Sequence, residues 1–262
     1  MTALRVQNLV KSFGGRPVVK DVSFELAPGE VLGLVGESGS GKSTVARCVV
    51  RLTRPDSGRV LLGDRDVLAA SRRELRGLRR DLQMVFQDPY SSLSPRMTAG
   101  ALVEEGMIAH GLEKDPAARR DRAVALLETV GLSAADAGRH PRSFSGGQRQ
   151  RIAIARALAV EPKVLICDEV VSSLDVSVQA QVLNLFRDLR ERLGLSILFI
   201  AHDLAVVHYL CDRVAVLDQG SLVEIGDREQ IYRQPRHPYT RSLLDAVPIP
   251  DPAVERARHA RA

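Results

Sequence analysis

The sequence predicts an α/β fold, a mostly parallel sheet covered by helices and interrupted by a helical insertion. Three observations predict it. Short apolar runs of strand length alternate with helix-length amphipathic patterns over residues 163–225. A glycine-rich loop joins one apolar run, residues 31–35, to a helix beginning near Lys42. Residues 89–160 carry helical patterns with few strand signals. The 262 residues, 45% of them hydrophobic, suffice for a sizeable core. One domain is set at residues 1–247, with the helical subdomain at about 89–160, and a tail follows at 248–262.

The elements follow in chain order. Residues 4–10 and 18–26 alternate partly between apolar and polar and read as strands separated by the Gly14-Gly15 turn. After the Pro28-Gly29 turn, residues 31–35 form a short apolar run of the buried-strand type. Within the insertion, residues 116–130 and 148–160 are helical. The alternation then returns as a strand at 163–168, a helix at 177–193 and a strand at 196–201. Residues 213–217 and 222–225 flank Asp218-Gln219-Gly220 as a hairpin. Strands alternating with helices imply a sheet covered on both faces. The tail, rich in Pro, Ala and Arg, is expected to be solvated.

Composition excludes several classes. Aromatic residues make up 4% and Trp is absent, which argues against a stacking platform for single-stranded nucleic acid. The net charge is +5, with Arg runs at 72–73, 79–80 and 119–120. Such runs read either as solvated helix faces or as contacts to nucleic acid or an acidic membrane, and composition leaves both open. Cys48, Cys167 and Cys211 are far apart and form no CxxC pair, so buried reduced thiols are expected in place of a zinc or iron–sulfur centre. The first residues lack the apolar core of a signal peptide, and no run approaches the roughly 20 residues needed to cross a bilayer. Any membrane role is expected to come through a partner.

Gly36-Glu37-Ser38-Gly39-Ser40-Gly41-Lys42-Ser43 fits GxxxxGK[ST] and lies between a strand and a helix, as a phosphate-binding loop requires. Its N–H groups and the helix start face an anion. Lys42 reaches the β- and γ-phosphates, and the Ser43 hydroxyl is the expected Mg²⁺ ligand. The motif indicates a P-loop NTPase without saying which kind. Residues 164–167 are apolar and end at Asp168-Glu169. Two acids there are costly unless they meet cations or solvent. A Mg²⁺–ATP site supplies the cation, with Asp168 in the metal shell and Glu169 polarising the attacking water as general base. A solvent-facing acid pair is the alternative, weakened by the upstream loop. His202 follows the next strand, where α/β sheets place ligands, and is a candidate for a γ-phosphate contact.

Phe144-Ser145-Gly146-Gly147-Gln148 closely resembles the LSGGQ signature of ABC ATPases, with Phe144 in place of the usual Leu. The resemblance spans about residues 4–247. It implies a RecA-like core with an antiparallel β subdomain and an inserted helical subdomain. It also implies a head-to-tail dimer in which the signature of one chain caps the ATP held by the other. By the same resemblance Phe13 stacks on adenine, and Thr44 joins the loop residues around the nucleotide. Gln87 is the Q-loop glutamine near Mg²⁺, Asp175 lies in the D-loop, and His202 is the switch histidine. ATP and Mg²⁺ are the implied cofactors.

Narrower cues are residues 86–97, residues 167–180 and the segment from His237-Pro238-Tyr239-Thr240 to Pro248. All resemble the oligopeptide/dipeptide importer subfamily. Nickel and glutathione importers share them, so the subfamily is named and the cargo is not. The implied partners are a second ABC ATPase subunit, transmembrane permease subunits and, through the complex, an extracytoplasmic solute-binding protein. Nucleic acid is not expected as a partner. The implied location is peripheral, at the cytoplasmic face of the inner membrane. Competing readings are weaker. Non-transport ABC proteins usually fuse two ATPase domains or carry long coiled coils, whereas this chain has one phosphate loop and no sustained heptads. A switch GTPase would need a guanine-reading NKxD motif.

Overall fold

The structure, a computed structural model, describes residues 2–246. The expectations placed on the tail, including Arg256, Arg258, His259 and Arg261, lie outside the described residues. The first half runs through β1 (Leu4–Phe13), β2 (Arg16–Leu26), β3 (Val31–Val35), α1 (Lys42–Val49), β4 (Ser57–Leu62), β5 (Arg65–Asp66), α2 (Arg72–Asp81) and β6 (Leu82–Val85). Helices α3 (Pro89–Ser92), α4 (Ala99–His110), α5 (Pro116–Thr129) and α6 (Gly146–Leu158) follow. The chain then forms β7 (Val164–Asp168), α7 (Val176–Leu193), β8 (Ser196–Ile200), α8 (Leu204–Leu210), β9 (Arg213–Asp218), β10 (Ser221–Asp227), α9 (Arg228–Arg233) and α10 (Pro238–Asp245).

Two sheets result. The first is antiparallel, in the order β2-β1-β4-β5. The second has the order β10-β9-β3-β8-β7-β6, parallel throughout except for β10 at its edge. The inner strands of this sheet are covered on both faces, and their side chains separate accordingly. Val31 and Val35 of β3, Leu165 and Cys167 of β7, and Ile197 and Phe199 of β8 enter one core with the helices α4–α7. Leu32 and Leu34, Val164 and Ile166, and Leu198 and Ile200 enter the other, shared with α1 and the antiparallel sheet. Every residue of β3, β7 and β8 is buried, which is why these strands appear in the sequence as unbroken apolar runs.

The β9–β10 hairpin turns through Gln219 and Gly220, both at positive φ (44° and 86°), as a two-residue connection matching strand twist requires. Helix ends follow capping chemistry. Ser71 and Glu74 form a capping box on α2, and Thr98, Asp115 and Asp175 accept from first-turn N–H groups of α4, α5 and α7. All three cysteines are free and buried, and burial pushes the Cys48 thiol up to about 11. Among the described residues no helix is long and apolar enough to cross a membrane.

Candidate functional site

The parallel strands end together, and the loops beyond their carboxyl ends carry most of the expected site residues. The loop after β3 is built on two obligatory glycines. Gly36 lies at φ 152°, and a Cβ there would come 2.1 Å from the Leu217 carbonyl oxygen of β9. Gly41 lies at φ 106°, and a Cβ would meet the Val18 carbonyl oxygen at 2.7 Å. The hairpin turn braces the same loop, since the Gly220 N–H donates to Ser40 O (2.9 Å) and the Lys20 N–H to Gly220 O (2.7 Å).

Gly41 caps α1 without a side chain, and no acidic residue occupies the first turn. The N–H groups of Lys42, Ser43 and Thr44 at this helix start are therefore free of a competing carboxylate and available to an anion. Lys42 is only 4% exposed, and its ammonium donates to Gly36 O (2.7 Å) and Glu37 O (2.8 Å). Burial lowers its pKa, opposed by the charges of Glu169, Asp168 and Glu37.

Ser43 donates its hydroxyl to Asp168 Oδ1 at 2.9 Å, joining α1 to the end of β7. Burial pushes the Asp168 carboxyl up, and the Ser43 hydrogen bond acts against it. A buried carboxylate served by one hydroxyl fits a hard divalent cation that takes its remaining oxygens from phosphates and water. Next to it, Glu169 adopts φ 49°, and its N–H donates to Ile200 O (3.0 Å). Gln87, beyond β6, donates its side-chain amide to Glu169 Oε2 (2.9 Å), and His202 Nδ1 lies 3.8 Å from the same oxygen. Glu169, Ser172, His202 and Asp203 line one hollow. The fold thus brings Lys42, Ser43, Gln87, Asp168, Glu169 and His202 to one end of the sheet. A cavity of about 930 Å³ lies at the opposite end, bounded by Pro28, Lys163 and Ser196 beside the starts of β3, β7 and β8. It is lined by none of the expected site residues, and ligands of open α/β sheets bind at the carboxyl ends.

Phe13 closes β1 at 51% exposure, with the Lys11 ammonium 5.1 Å from its ring centroid, so it is no core aromatic. Ser145 caps α6 through a capping box, in which Gln148 N–H donates to Ser145 Oγ (3.3 Å) and Ser145 N–H to Gln148 Oε1 (3.0 Å). The Ser145 hydroxyl proton and the Gly146 and Gly147 N–H groups stay available to an anion. Phe144 is buried beneath this helix start with the Arg139 guanidinium 4.4 Å from its ring. Gly147 has no room for a side chain, since a Cβ would come 2.3 Å from Val178. Asp175 serves as the α7 cap, accepting from Val178 N–H at 3.0 Å. Among the described residues no hydrogen bond or ion pair joins residues 145–148 to the loop at 36–44.

Sequence reasoning missed three contributors to the loop. The Leu217 carbonyl leaves room only for glycine at 36, the Gly220 N–H bonds Ser40 O from the hairpin, and the Tyr239 hydroxyl accepts from Glu37 N–H at 3.0 Å. The HPYT segment was the only signal for Tyr239, and it carried no indication of where the ring would lie.

The chain is similar to known proteins along most of its length. The ABC transporter family model matches residues 19–172, and that of the oligopeptide/dipeptide transporter C-terminal region matches residues 223–261. The oligopeptide transport ATP-binding protein OppF of Bacillus subtilis (strain 168) is 51% identical over 253 residues, covering 96% of this chain and 83% of OppF. The glutathione import ATP-binding protein GsiA of Salmonella paratyphi A is 51% identical over 240 residues, 92% of this chain and 38% of GsiA. The ATP-binding cassette MJ0796, solved as a dimer in a post-hydrolysis state bound to ADP and Pi, superposes with a TM-score of 0.77 at 29% identity, over 86% of this chain and 98% of that one.

Proposed function

This chain belongs to the ABC transporter ATPase family, in its oligopeptide/dipeptide branch, and we propose that it powers peptide import through a membrane permease. It binds and hydrolyses ATP, as its family does. The observation that carries the mechanism is the convergence of the Ser43–Asp168 pair and the Gln87–Glu169 pair beside the buried Lys42.

The loop N–H groups and Lys42 hold the phosphates, and Phe13 offers an exposed ring face to adenine. Ser43 and Asp168, with Gln87, are the residues that would hold Mg²⁺. Bound there, Mg²⁺ would neutralise charge on the β- and γ-phosphate oxygens. Glu169 accepts the proton of the attacking water, Gln87 holds its carboxylate by a hydrogen bond, and His202 beside it is placed for the γ-phosphate. Ser145, Gly146, Gly147 and Gln148, with Asp175 behind them, serve the ATP of a second ABC ATPase subunit. The chain docks from the cytoplasmic side on transmembrane permease subunits that receive cargo from an external solute-binding protein. Glutathione, itself a small peptide, is the second reading, favoured by the 51% identity to GsiA.

The test is uptake. This chain, its companion ATPase and their permeases are reconstituted in vesicles with the solute-binding protein, and labelled tetrapeptide or labelled glutathione is supplied. Peptide accumulation that needs ATP and is lost with Glu169→Gln is the expected result. Accumulation of glutathione alone selects the second reading. An active ATPase that moves neither solute overturns the peptide assignment.

A further inference from the structure

One polar contact reaches the phosphate loop from far along the chain. Tyr239, in the first turn of α10, accepts a hydrogen bond from the Glu37 N–H at 3.0 Å. Glu37 is the residue that follows Gly36 in the loop. The two carbonyls flanking that N–H, Gly36 O and Glu37 O, are both taken by the Lys42 ammonium. The turn at 36–37 is thus held by Lys42 from within the loop and by Tyr239 from outside it.

Tyr239 is itself held in place. Glu224 of β10 is buried, and its carboxylate gathers the chain just before α10. Oε1 accepts from Arg236 N–H (2.9 Å) and from the Gln230 side chain (3.1 Å), and Oε2 accepts from His237 N–H (3.0 Å). His237 Nδ1 accepts in turn from Tyr239 N–H at 3.3 Å, capping α10. Pro238 at the first helical position fixes the entry angle of the helix. Three links therefore lead from a buried carboxylate, through the backbone at 236–237, to the ring that meets the loop.

We propose that Tyr239 is a positioning residue for the phosphate loop, with Glu224 as its anchor, so that the C-terminal segment sets how tightly this subunit binds nucleotide. The argument rests on the ATP site proposed above. A loop already held in one shape loses less conformational freedom when phosphate arrives, and affinity rises accordingly. Tyr239 makes its bond to a residue at the loop entrance and leaves the N–H groups of the α1 start to the phosphates. Its effect falls on binding, because it touches neither Glu169 nor the water that Glu169 would activate.

The experiment compares wild type, Tyr239→Phe, Glu224→Gln and the double variant. Mg²⁺–ATP binding is measured by calorimetry on the full chain, and steady-state hydrolysis on the complex with the companion ATPase. Loss of one neutral hydrogen bond sets the expected rise in Kd and KM for Tyr239→Phe at about three- to tenfold. The turnover rate at saturating ATP and the melting midpoint of that variant stay at the wild-type values, which separates positioning from general destabilisation. Glu224→Gln raises Kd in the same direction, and the double variant is no weaker than the weaker single, because both act through one contact. An unchanged Kd in Tyr239→Phe, a fall in saturated turnover with Kd unchanged, or effects that multiply in the double variant would each overturn the proposal. Wild-type binding that Lys42→Ala abolishes tests the site itself, whereas the ratio of Tyr239→Phe to wild type tests the contact.

Discussion

Lys42 illustrates how a single side chain can be costly until its ligand arrives. Its ammonium is buried, and its hydrogen-bond acceptors are the neutral Gly36 and Glu37 carbonyls and the Ser40 hydroxyl. Desolvation lowers its pKa, and the charges of Glu169, Asp168 and Glu37 restore part of the loss. In the proposed ATP site a phosphate would bring a further anion to it at short range. Lys42→Ala should therefore cut ATP hydrolysis by about two to three decades, the usual cost of removing a preorganised group from developing phosphate charge. Phosphate release by the purified complex measures it, and a rate near wild type would remove Lys42 from the site. Lys42 and Ser43 could be read from spacing alone, because GxxxxGK[ST] is a local pattern. The Ser43–Asp168 pair was implied by two motifs 125 residues apart, and the 2.9 Å contact joins them. Tyr239 had no such legibility: its partner lies 202 residues away and is a backbone N–H that no residue type announces.

At the scale of elements, legibility followed burial on two faces. β3, β7 and β8 are five residues each and entirely buried, so each shows as a bounded apolar run. β5 has two residues and α9 six, too few for either periodicity to register. β1 extends to Phe13, past the expected end at Val10, because register shifts let Lys11, Ser12 and Phe13 keep pairing with β2 where the apolar alternation fails. The link between sites also lies at this scale. Gln150 donates to Phe86 O (3.5 Å), Arg156 donates to Ser92 O (2.7 Å), and the Arg149 guanidinium lies 3.7 Å from the Tyr90 ring centroid. The segment after β6 that carries Gln87 is thereby fastened along α6, whose first turn is the signature. β10 carries a different dependence. Burial raises the Glu224 carboxyl, but hydrogen bonds led by the Arg236 N–H outweigh it and hold the group down at about 2, against an ordinary 4.5. A carboxylate depressed by folding stabilises the fold fully above the unfolded value and loses that contribution as pH falls through the folded one. The melting deficit of Glu224→Gln relative to wild type should accordingly be constant above about pH 4.5 and shrink between there and about pH 2. Thermal melts across that range test it, and a deficit unchanged down to the lower limit would show that packing, not charge, is what Glu224 supplies.

At the scale of the whole molecule, the proposed ATP site calls for a second chain. Ser145 and Gly146 are exposed at the start of α6, with donors that their own helix does not use, and no hydrogen bond joins them to the loop at 36–44 among the described residues. Val176, beside the Asp175 cap, is an apolar residue left 83% exposed. An exposed anion-binding helix start next to an exposed apolar side chain suits a surface that a second nucleotide-loaded chain covers, and the solved relative MJ0796 is a dimer bound to ADP and Pi. Glu169→Gln keeps the shape of the carboxylate and its hydrogen-bonding capacity but cannot take a proton from water. Lys42, Ser43 and the opposing Ser145-Gly146-Gly147 remain intact in that variant, so Mg²⁺–ATP should accumulate and hold two subunits together. Size-exclusion chromatography of Glu169→Gln with and without Mg²⁺–ATP reads the shift, run on this chain alone and with its companion ATPase. Adding Ser145→Arg should abolish the ATP-dependent species, because the side chain fills the space where the γ-phosphate of the opposite chain would sit. That substitution also removes the α6 cap, a loss of about 1 kcal/mol, too small to unfold a domain of this size. A melting curve close to that of the single variant verifies the point. If the doubly substituted protein still dimerises with ATP, the signature of one chain does not face the phosphates of the other, and the head-to-tail arrangement is wrong.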